Sequence, residues 1–325
     1  MPWRLFTGCR RLGSGPAPKR APAATLGSMR RLIHLKLVTA CSFWAMTPIF
    51  GRMLRDYSAP YALAAGRFLF ATLALFVILQ CTRGAQWRVA WRDLPHFLLL
   101  GLTGIVLHNV LVLMGVEYTP ANRANVIFAS IALMIALLDL VFLRRLPALM
   151  AALGLGVGIV GTVLVVTDGQ LSTLAEGGIG KGEWLVLGSA ASWAVYSVLG
   201  RRVLARYSPL TVVFQATLWG TLMLLPFAVL DAPVLPRLLA DGKALGMLAF
   251  VGCLNSALGF LWYYQAVNAL GALTAGAYIN LVPVFGIVLS SLLLGEPTTP
   301  ALLLGGGLVI GGLVLMERTG RTGRR

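Results

Sequence analysis

The chain has 325 residues, of which 58% are hydrophobic and only 12% charged, with a mean hydropathy of +0.82. A soluble fold of this size would have too few polar residues to cover its outside, so the apolar surplus must face lipid. The apolar residues come in long blocks rather than in alternation, which argues against a β-barrel and for an all-α membrane protein. The net charge of +16 lies in clusters between those blocks. That is the pattern of loops at an anionic membrane face rather than of a nucleic-acid-binding surface.

Residues 1–31 carry no acid and several arginines among Pro, Gly and Ala; they are expected to form a disordered, basic, cytoplasmic extension, with Met29 as an alternative start. A span needs about 20 apolar residues to cross a core of about 30 Å. Ten blocks meet this requirement, at 32–51, 60–80, 94–115, 122–143, 149–167, 182–200, 209–230, 244–267, 272–294 and 300–316. Connections as short as 144–148 and 295–299 force antiparallel neighbours. Threading ten spans places 19 of the 27 Lys and Arg residues on one side and 6 on the other, so both termini, including the basic tail 317–325, are expected in the cytoplasm.

The two halves resemble each other. Phe43–Trp44–Ala45 begins FWAMTPIFGR, and 149 positions later Ser192–Trp193–Ala194 begins SWAVYSVLGR; each is followed by Tyr-Ser and then Pro60 or Pro209. Later in each half, Gly154, Gly156 and Gly161 fall 151 positions before Gly305, Gly307 and Gly312. The expected organisation is therefore two five-helix repeats, 32–167 and 182–316, joined by an extracytoplasmic linker at 168–181. Because five is odd, the second repeat enters the membrane from the opposite side. This is an inverted-topology repeat, an architecture found among secondary transporters.

Trp44 and Trp193, Pro60 with Arg67 seven residues on, and Ala277-Tyr-Ile-Asn-Leu-Val-Pro283 followed by Leu294-Gly-Glu296-Pro297 make the chain resemble the EamA-type members of the drug/metabolite transporter superfamily over residues 32–316. The resemblance implies a ten-helix transporter of a small metabolite, amino acid or drug-like molecule in a bacterial inner membrane, working by alternating access and commonly in export. Its partners would be that solute and the bilayer, with a homodimer as one option for assembly. The first half departs from the pattern: Ala132 replaces Pro283, and Arg144–Arg145 replace Gly-Glu. Without the proline the fourth span keeps its backbone donor, so the ninth, with Pro283, is expected to supply more of the hinge.

Polar and aromatic residues inside spans are the candidates for a cavity. Arg67 sits about 10 Å into the second span at 1.5 Å per residue, where a charge is costly unless paired or hydrated; snorkelling toward the headgroups is the competing reading. His108 and Asn109 in the third span, Asn125 in the fourth, Asn255 in the eighth and Asn280 in the ninth could line one cavity or simply tie helices together. Trp44, Trp193, Tyr196, Gln215, Trp262, Tyr263 and Gln265 complete the candidate set. Consecutive residues cannot all face one cavity, and interfacial anchoring competes for the rest.

Asp139 is the acid well inside a span, and is a candidate for proton coupling. Its partner is expected to be Arg144, Arg145 or a neighbouring cytoplasmic arginine rather than Arg67. Gly156-Val-Gly158-Ile-Val-Gly161 formally satisfies a dinucleotide fingerprint, but inside an apolar block it reads as close helix packing. The four cysteines are scattered singly and no Walker A sequence is present, so no metal or cofactor is expected. An intramembrane enzyme acting on a lipid or lipid-linked substrate is the alternative from another class, and a non-transporting scaffold is a third. Paired carboxylates and nucleophile–base sets are lacking within the spans, which disfavours the enzyme.

Overall fold

The computed structural model describes residues 23–46, 59–82, 86–116, 127–128, 130–143, 148–167, 180–294 and 299–322, with the single positions 54, 57, 118, 169, 170 and 172. All regular structure among them is helical. Helix α1 (Ala23–Ala45) starts inside the stretch read as an extension, because Ala-Ala-Thr-Leu favours helix and continues the apolar block that follows. Helix α2 (Pro60–Cys81) has Pro at its first position, and Asp231 Oδ2 accepts from the free N–H groups of Tyr61 and Ala62 at 2.8 Å. A carboxylate brought from another segment thus satisfies and counters the positive end of this helix.

The third apolar block is one continuous rod made of a 3-10 turn (Trp91–Asp93), α3 (Leu94–Leu100), a π-helical segment π1 (Gly101–Leu107) and α4 (His108–Val116). Then come α5 (Ile131–Leu143), α6 (Leu149–Val166), α7 (Lys181–Val203) and α8 (Pro209–Ala228). A 3-10 turn (Val229–Val234) and the short α9 (Leu235–Ala240) lead into a second composite rod of α10 (Gly242–Phe250), π2 (Val251–Leu258) and α11 (Gly259–Leu270). The chain ends with α12 (Ala272–Ala277), a 3-10 turn (Tyr278–Asn280), α13 (Leu281–Leu294) and α14 (Pro300–Thr322). Gly271 sits at φ 94° between α11 and α12, a left-handed position where a side chain would be strained. Four of the continuous rods, Tyr61–Cys81, Trp91–Val112, Pro209–Ala240 and Gly242–Leu270, are long and apolar enough to cross a membrane.

Contacts between elements come in exchanged sets. Helix α1 packs on α11 and α13, whereas α7 packs on α4 and α5; α2 packs on π2, whereas α8 packs on π1. Helices α2 and α8 also pack on each other, as do α6 and α14. Close approaches follow the same exchange. A Cβ on Gly101 would lie 2.7 Å from Gly220 N, and one on Gly252, 151 positions later, would lie 2.7 Å from Phe70 Cβ and 2.5 Å from Arg67 O. Thr72 and Thr221, 149 positions apart, share a hydrogen bond of 3.0 Å between hydroxyls.

The glycine stripe of α6 meets that of α14 backbone to backbone. A Cβ on Gly154 would be 2.6 Å from Gly312 O, and one on Gly161 would be 2.5 Å from Gly305 O. The packing reading of the glycine motif holds here, although a Cβ on Gly156 or Gly307 would meet nothing within 4 Å. The 3-10 turn Tyr278–Asn280 leads into α13, of which Pro283 is the third residue. A missing Pro N–H is a sufficient cause for that local tightening.

On one loop face Asp241 caps α10 by accepting from the N–H groups of Lys243 (2.8 Å) and Ala244 (3.3 Å), and it also accepts from the Tyr57 hydroxyl. The Tyr57 hydroxyl first, and then the Ala244 and Lys243 amides, hold this carboxyl below the usual carboxylate range. A depressed carboxyl stabilises the fold above its unfolded value, and the contribution is lost as pH falls through the lower folded value. Melting curves are therefore expected to shift down on acidification below about pH 4. Asp241→Asn should start lower and lose less across the same window.

Candidate functional site

The core between the two halves is an aromatic cluster. Trp193 is 4% exposed, and Tyr196, Tyr263 and Tyr264 are fully buried. Trp44 meets Trp193 edge-on at 5.6 Å between ring centroids, and Phe260 meets Trp193 at 5.1 Å. Tyr263 lies 5.4 Å from Trp193 and shares a 2.7 Å hydrogen bond with Ser197. The Tyr264 hydroxyl donates to Tyr196 O at 2.9 Å. A buried phenol or indole usually finds a polar partner; Tyr263 and Tyr264 have one, whereas Trp193 Nε1 and the Tyr196 hydroxyl are buried with none among the described residues.

Polar side chains stitch the helices around this cluster. Trp44 Nε1 donates to Asn255 O at 3.1 Å and Asn255 Nδ2 donates to Phe43 O at 3.1 Å, a reciprocal tie between α1 and π2. His108 lies 4.7 Å from the Trp193 ring. The Ser189 hydroxyl donates to His108 O at 2.8 Å, which leaves His108 Nδ1 as the donor to Ser189, 2.9 Å from its Oγ and 3.3 Å from its O. Arg67 donates to Asn109 Oδ1, and its guanidinium carbon lies 4.6 Å from the Phe68 ring centroid. Asn109 Nδ2 in turn donates to Ile105 O in π1 at 2.7 Å.

Other candidates fall elsewhere. Gln215 is buried near the start of α8, where its Nε2 donates to Trp87 O and its Oε1 accepts from Trp219; it anchors the 86–90 segment. Gln265 accepts from Lys36 Nζ at 3.0 Å, and Trp262 stacks on Phe43 at 5.9 Å. Asn280 is 3% exposed with a buried Oδ1 that has no hydrogen-bond partner. Pro283 is buried in α13. Asn125 lies outside the described residues. An apolar cavity of about 370 Å³ between α2, α8, α9 and α10 contains none of these groups. Sequence reasoning missed Ser189, Phe260, Ser197 and the Thr72–Thr221 contact.

Asp139 is held bidentately by Arg201, with N–O distances of 2.9 and 3.1 Å, and not by Arg67. The bridge joins α5 to the end of α7, with side-chain exposures of 15% and 32%. Being partly screened, it lies between a surface and a buried pair, so Asp139→Asn is expected to cost roughly 1–3 kcal/mol. The exchanged pair Asp139→Arg with Arg201→Asp should recover part of the loss; thermal denaturation of the single and double variants checks it.

The EamA-like transporter family model matches residues 31–167 and again 180–318. The chain is 28% identical to the uncharacterized transporter YyaM of Bacillus subtilis over 282 residues, covering 87% of this chain and 92% of that protein. It is 34% identical over 227 residues to a probable terminal-alkyne amino-acid exporter of Streptantibioticus cattleyicolor, covering 70% and 74% respectively. A protein of known crystal structure shares the fold with a TM-score of 0.67 at 19% identity, covering 90% of this chain and 99% of the other. Two family matches laid end to end over helices long enough to span a bilayer identify the chain as a member of the EamA-like transporter family, a multi-pass membrane transporter.

Proposed function

We propose that the protein is a secondary transporter that moves a small metabolite by alternating access, in the export direction, across a bacterial cytoplasmic membrane. In this reading ten spans form two inverted five-helix repeats with both termini in the cytoplasm. The observation that carries it is the exchange of contacts: α1 on α11 and α13 against α7 on α4 and α5, with Thr72 touching Thr221 and Trp44 touching Trp193. Residues 149 positions apart meet where an inverted repeat would place its two-fold axis, and a solute site at that axis is what rocking halves need.

The π segments support the same reading. They begin at Gly101 and Val251, next to the mutually packed second spans, and a π turn inserted in a helix marks a place where the ladder can rearrange. Trp44, Arg67, His108, Asn109, Trp193, Tyr196, Asn255 and Tyr263 form the candidate solute site, with Pro283 as a hinge and Asp139 as the group that would carry a proton. The amino-acid exporter among the relatives favours a metabolite of that size. Purified protein in liposomes, screened against a metabolite mixture with and without a pH gradient, tests the proposal: solute movement is expected. Turnover of a lipid with no solute movement would favour the enzyme alternative instead.

A further inference from the structure

We infer that the two halves are fastened by a matched pair of latches, Tyr57–Asp241 and Tyr207–Asp93, and that releasing one or the other sets which face of the membrane reaches the aromatic centre. The inference rests on the transporter reading above and adds the residues that gate it. The Tyr207 hydroxyl donates to Asp93 Oδ2 at 2.8 Å, and the Tyr57 hydroxyl donates to Asp241 Oδ2. Each tyrosine belongs to one half and its aspartate to the other. The tyrosines stand 150 positions apart and the aspartates 148, so the two contacts are exchanged copies of one another.

Their surroundings match as well. Tyr57 and Tyr207 lie just before the prolines that begin α2 and α8, and Asp93 and Asp241 hold the N-cap positions of α3 and α10. Those short helices open the two composite rods, and each rod continues into a π segment. Each latch therefore ties the start of α2 or α8 to the start of the rod on which that same helix packs.

The latches lie at opposite ends of the α2–α8 pair. Asp231, beyond the end of α8, bonds the first N–H groups of α2, while Thr211 in the first turn of α8 donates to Gln86 O, beyond the end of α2, at 2.9 Å. The two helices are thus antiparallel. The 22 residues of α2 separate the latches by about 33 Å at 1.5 Å per residue, close to the thickness of a hydrocarbon core. In the proposed topology Tyr57–Asp241 faces outward and Tyr207–Asp93 faces the cytoplasm. Both are engaged in the structure, as in the occluded step of an alternating-access cycle.

A phenol on a carboxylate makes a charge-assisted hydrogen bond, stronger than a neutral one, yet at the membrane edge water can take the phenol's place. Release strands neither carboxylate. Asp241 keeps the Lys243 and Ala244 amides. Asp93 sits at a turn where water replaces both Tyr207 and the exposed Arg206 that joins the same latch at 2.9 Å. Such contacts hold and let go at modest cost, which a gate needs and a permanent core contact does not.

The test places reporters on α7 to either side of Trp193. Ser197 stands toward the Tyr207 end of α7 and Ser189 toward the other, and both are buried. Ser189→Cys and Ser197→Cys are made singly in full-length protein whose four native cysteines are replaced by alanine. Right-side-out and inverted membrane vesicles are then labelled with a charged, impermeant methanethiosulfonate. Tyr57→Phe is expected to speed labelling of Ser189→Cys from the outer face about tenfold, the worth of one hydrogen bond to a carboxylate. It should leave labelling of Ser197→Cys from the inner face unchanged. Tyr207→Phe should do the reverse, and the double variant should show both increases together. Arg206→Gln alters a side chain that is 67% exposed and weakens the same latch as Tyr207→Phe, so it gives the same direction of change if that variant does not fold.

Faster labelling from both faces in a single variant, which general loosening of the fold gives, overturns the inference, as does no increase in any folded variant. Movement of a metabolite mixture is followed in the same vesicles. If the latch variants fail in this way while solute still moves, the transporter reading stays in place. Side-specific labelling with no solute moving upholds the latches and strikes the transporter reading.

Discussion

Gly161→Leu is expected to prevent the fold from assembling, while Gly156→Ala, five residues away on the same helix, should be neutral or mildly stabilising. A Cβ at position 161 would stand 2.5 Å from Gly305 O and 2.8 Å from both Leu308 Cβ and Val309 N. Two of those atoms belong to the backbone of α14, so no side-chain rotation can make room, and α6 and α14 must separate. In lipid no hydrophobic force pulls two helices together again, because close packing is itself the attraction. The alanine variant Gly161→Ala should cost about 1–3 kcal/mol, the usual penalty for overpacking, and the leucine variant more. At position 156 a Cβ meets nothing within 4 Å, and exchanging a helical Gly for Ala gains up to about 1 kcal/mol. Size-exclusion profiles and melting curves in detergent check the series. Equal behaviour of positions 156 and 161 would show that the glycine contact is not what joins these helices.

That contrast also shows how far the sequence could be read. The repeated glycines announced close packing, because small residues at matching places in both halves of an apolar chain have little other use. Which glycine faces a helix and which faces lipid depends on the rotation of α6, and an almost uniformly apolar helix carries no polar stripe to report it. Spans were legible because lipid demands long apolar blocks. The π segments were not, since one extra residue in the hydrogen-bond ladder of Gly101–Leu107 leaves its composition unchanged. Asp139 is legible as a residue in need of an arginine, and Arg201 supplies it from the last turn of α7. Gln215 shows the limit. A polar residue in an apolar helix suggests a cavity, but this one sits within two turns of the helix start and bonds the carbonyl of Trp87. Ser189, the hydrogen-bond partner of His108, lies in a run of small residues that reads equally well as packing.

Trp193→Ala is expected to be the most destabilising single change at the aromatic centre, by about 3–5 kcal/mol, and Trp44→Ala less so although the two residues lie 149 positions apart in similar stretches of sequence. Trp193 is buried against Trp44, His108, Tyr196, Phe260 and Tyr263 at centroid distances from 4.7 to 5.6 Å. Removing it leaves a void that the surrounding rings on four helices cannot close without leaving their rotamers. Trp44 is only half-buried, so its loss opens less space; it forfeits in addition a hydrogen bond to Asn255 O, worth about 1 kcal/mol. Trp193→Phe keeps a ring in the same slot and should recover most of the loss. Melting temperatures of the three variants, measured in one detergent, give the order Trp193→Ala lowest, then Trp44→Ala, then Trp193→Phe. The reverse order for the two alanine variants would mean that the two halves do not share their core in the way the buried rings indicate. Because His108 is held between Ser189 and the Trp193 ring, the alanine variant should also free the imidazole. Its ring resonances, followed by NMR on labelled protein, should then sharpen toward those of a mobile side chain, whereas Trp193→Phe leaves them in place.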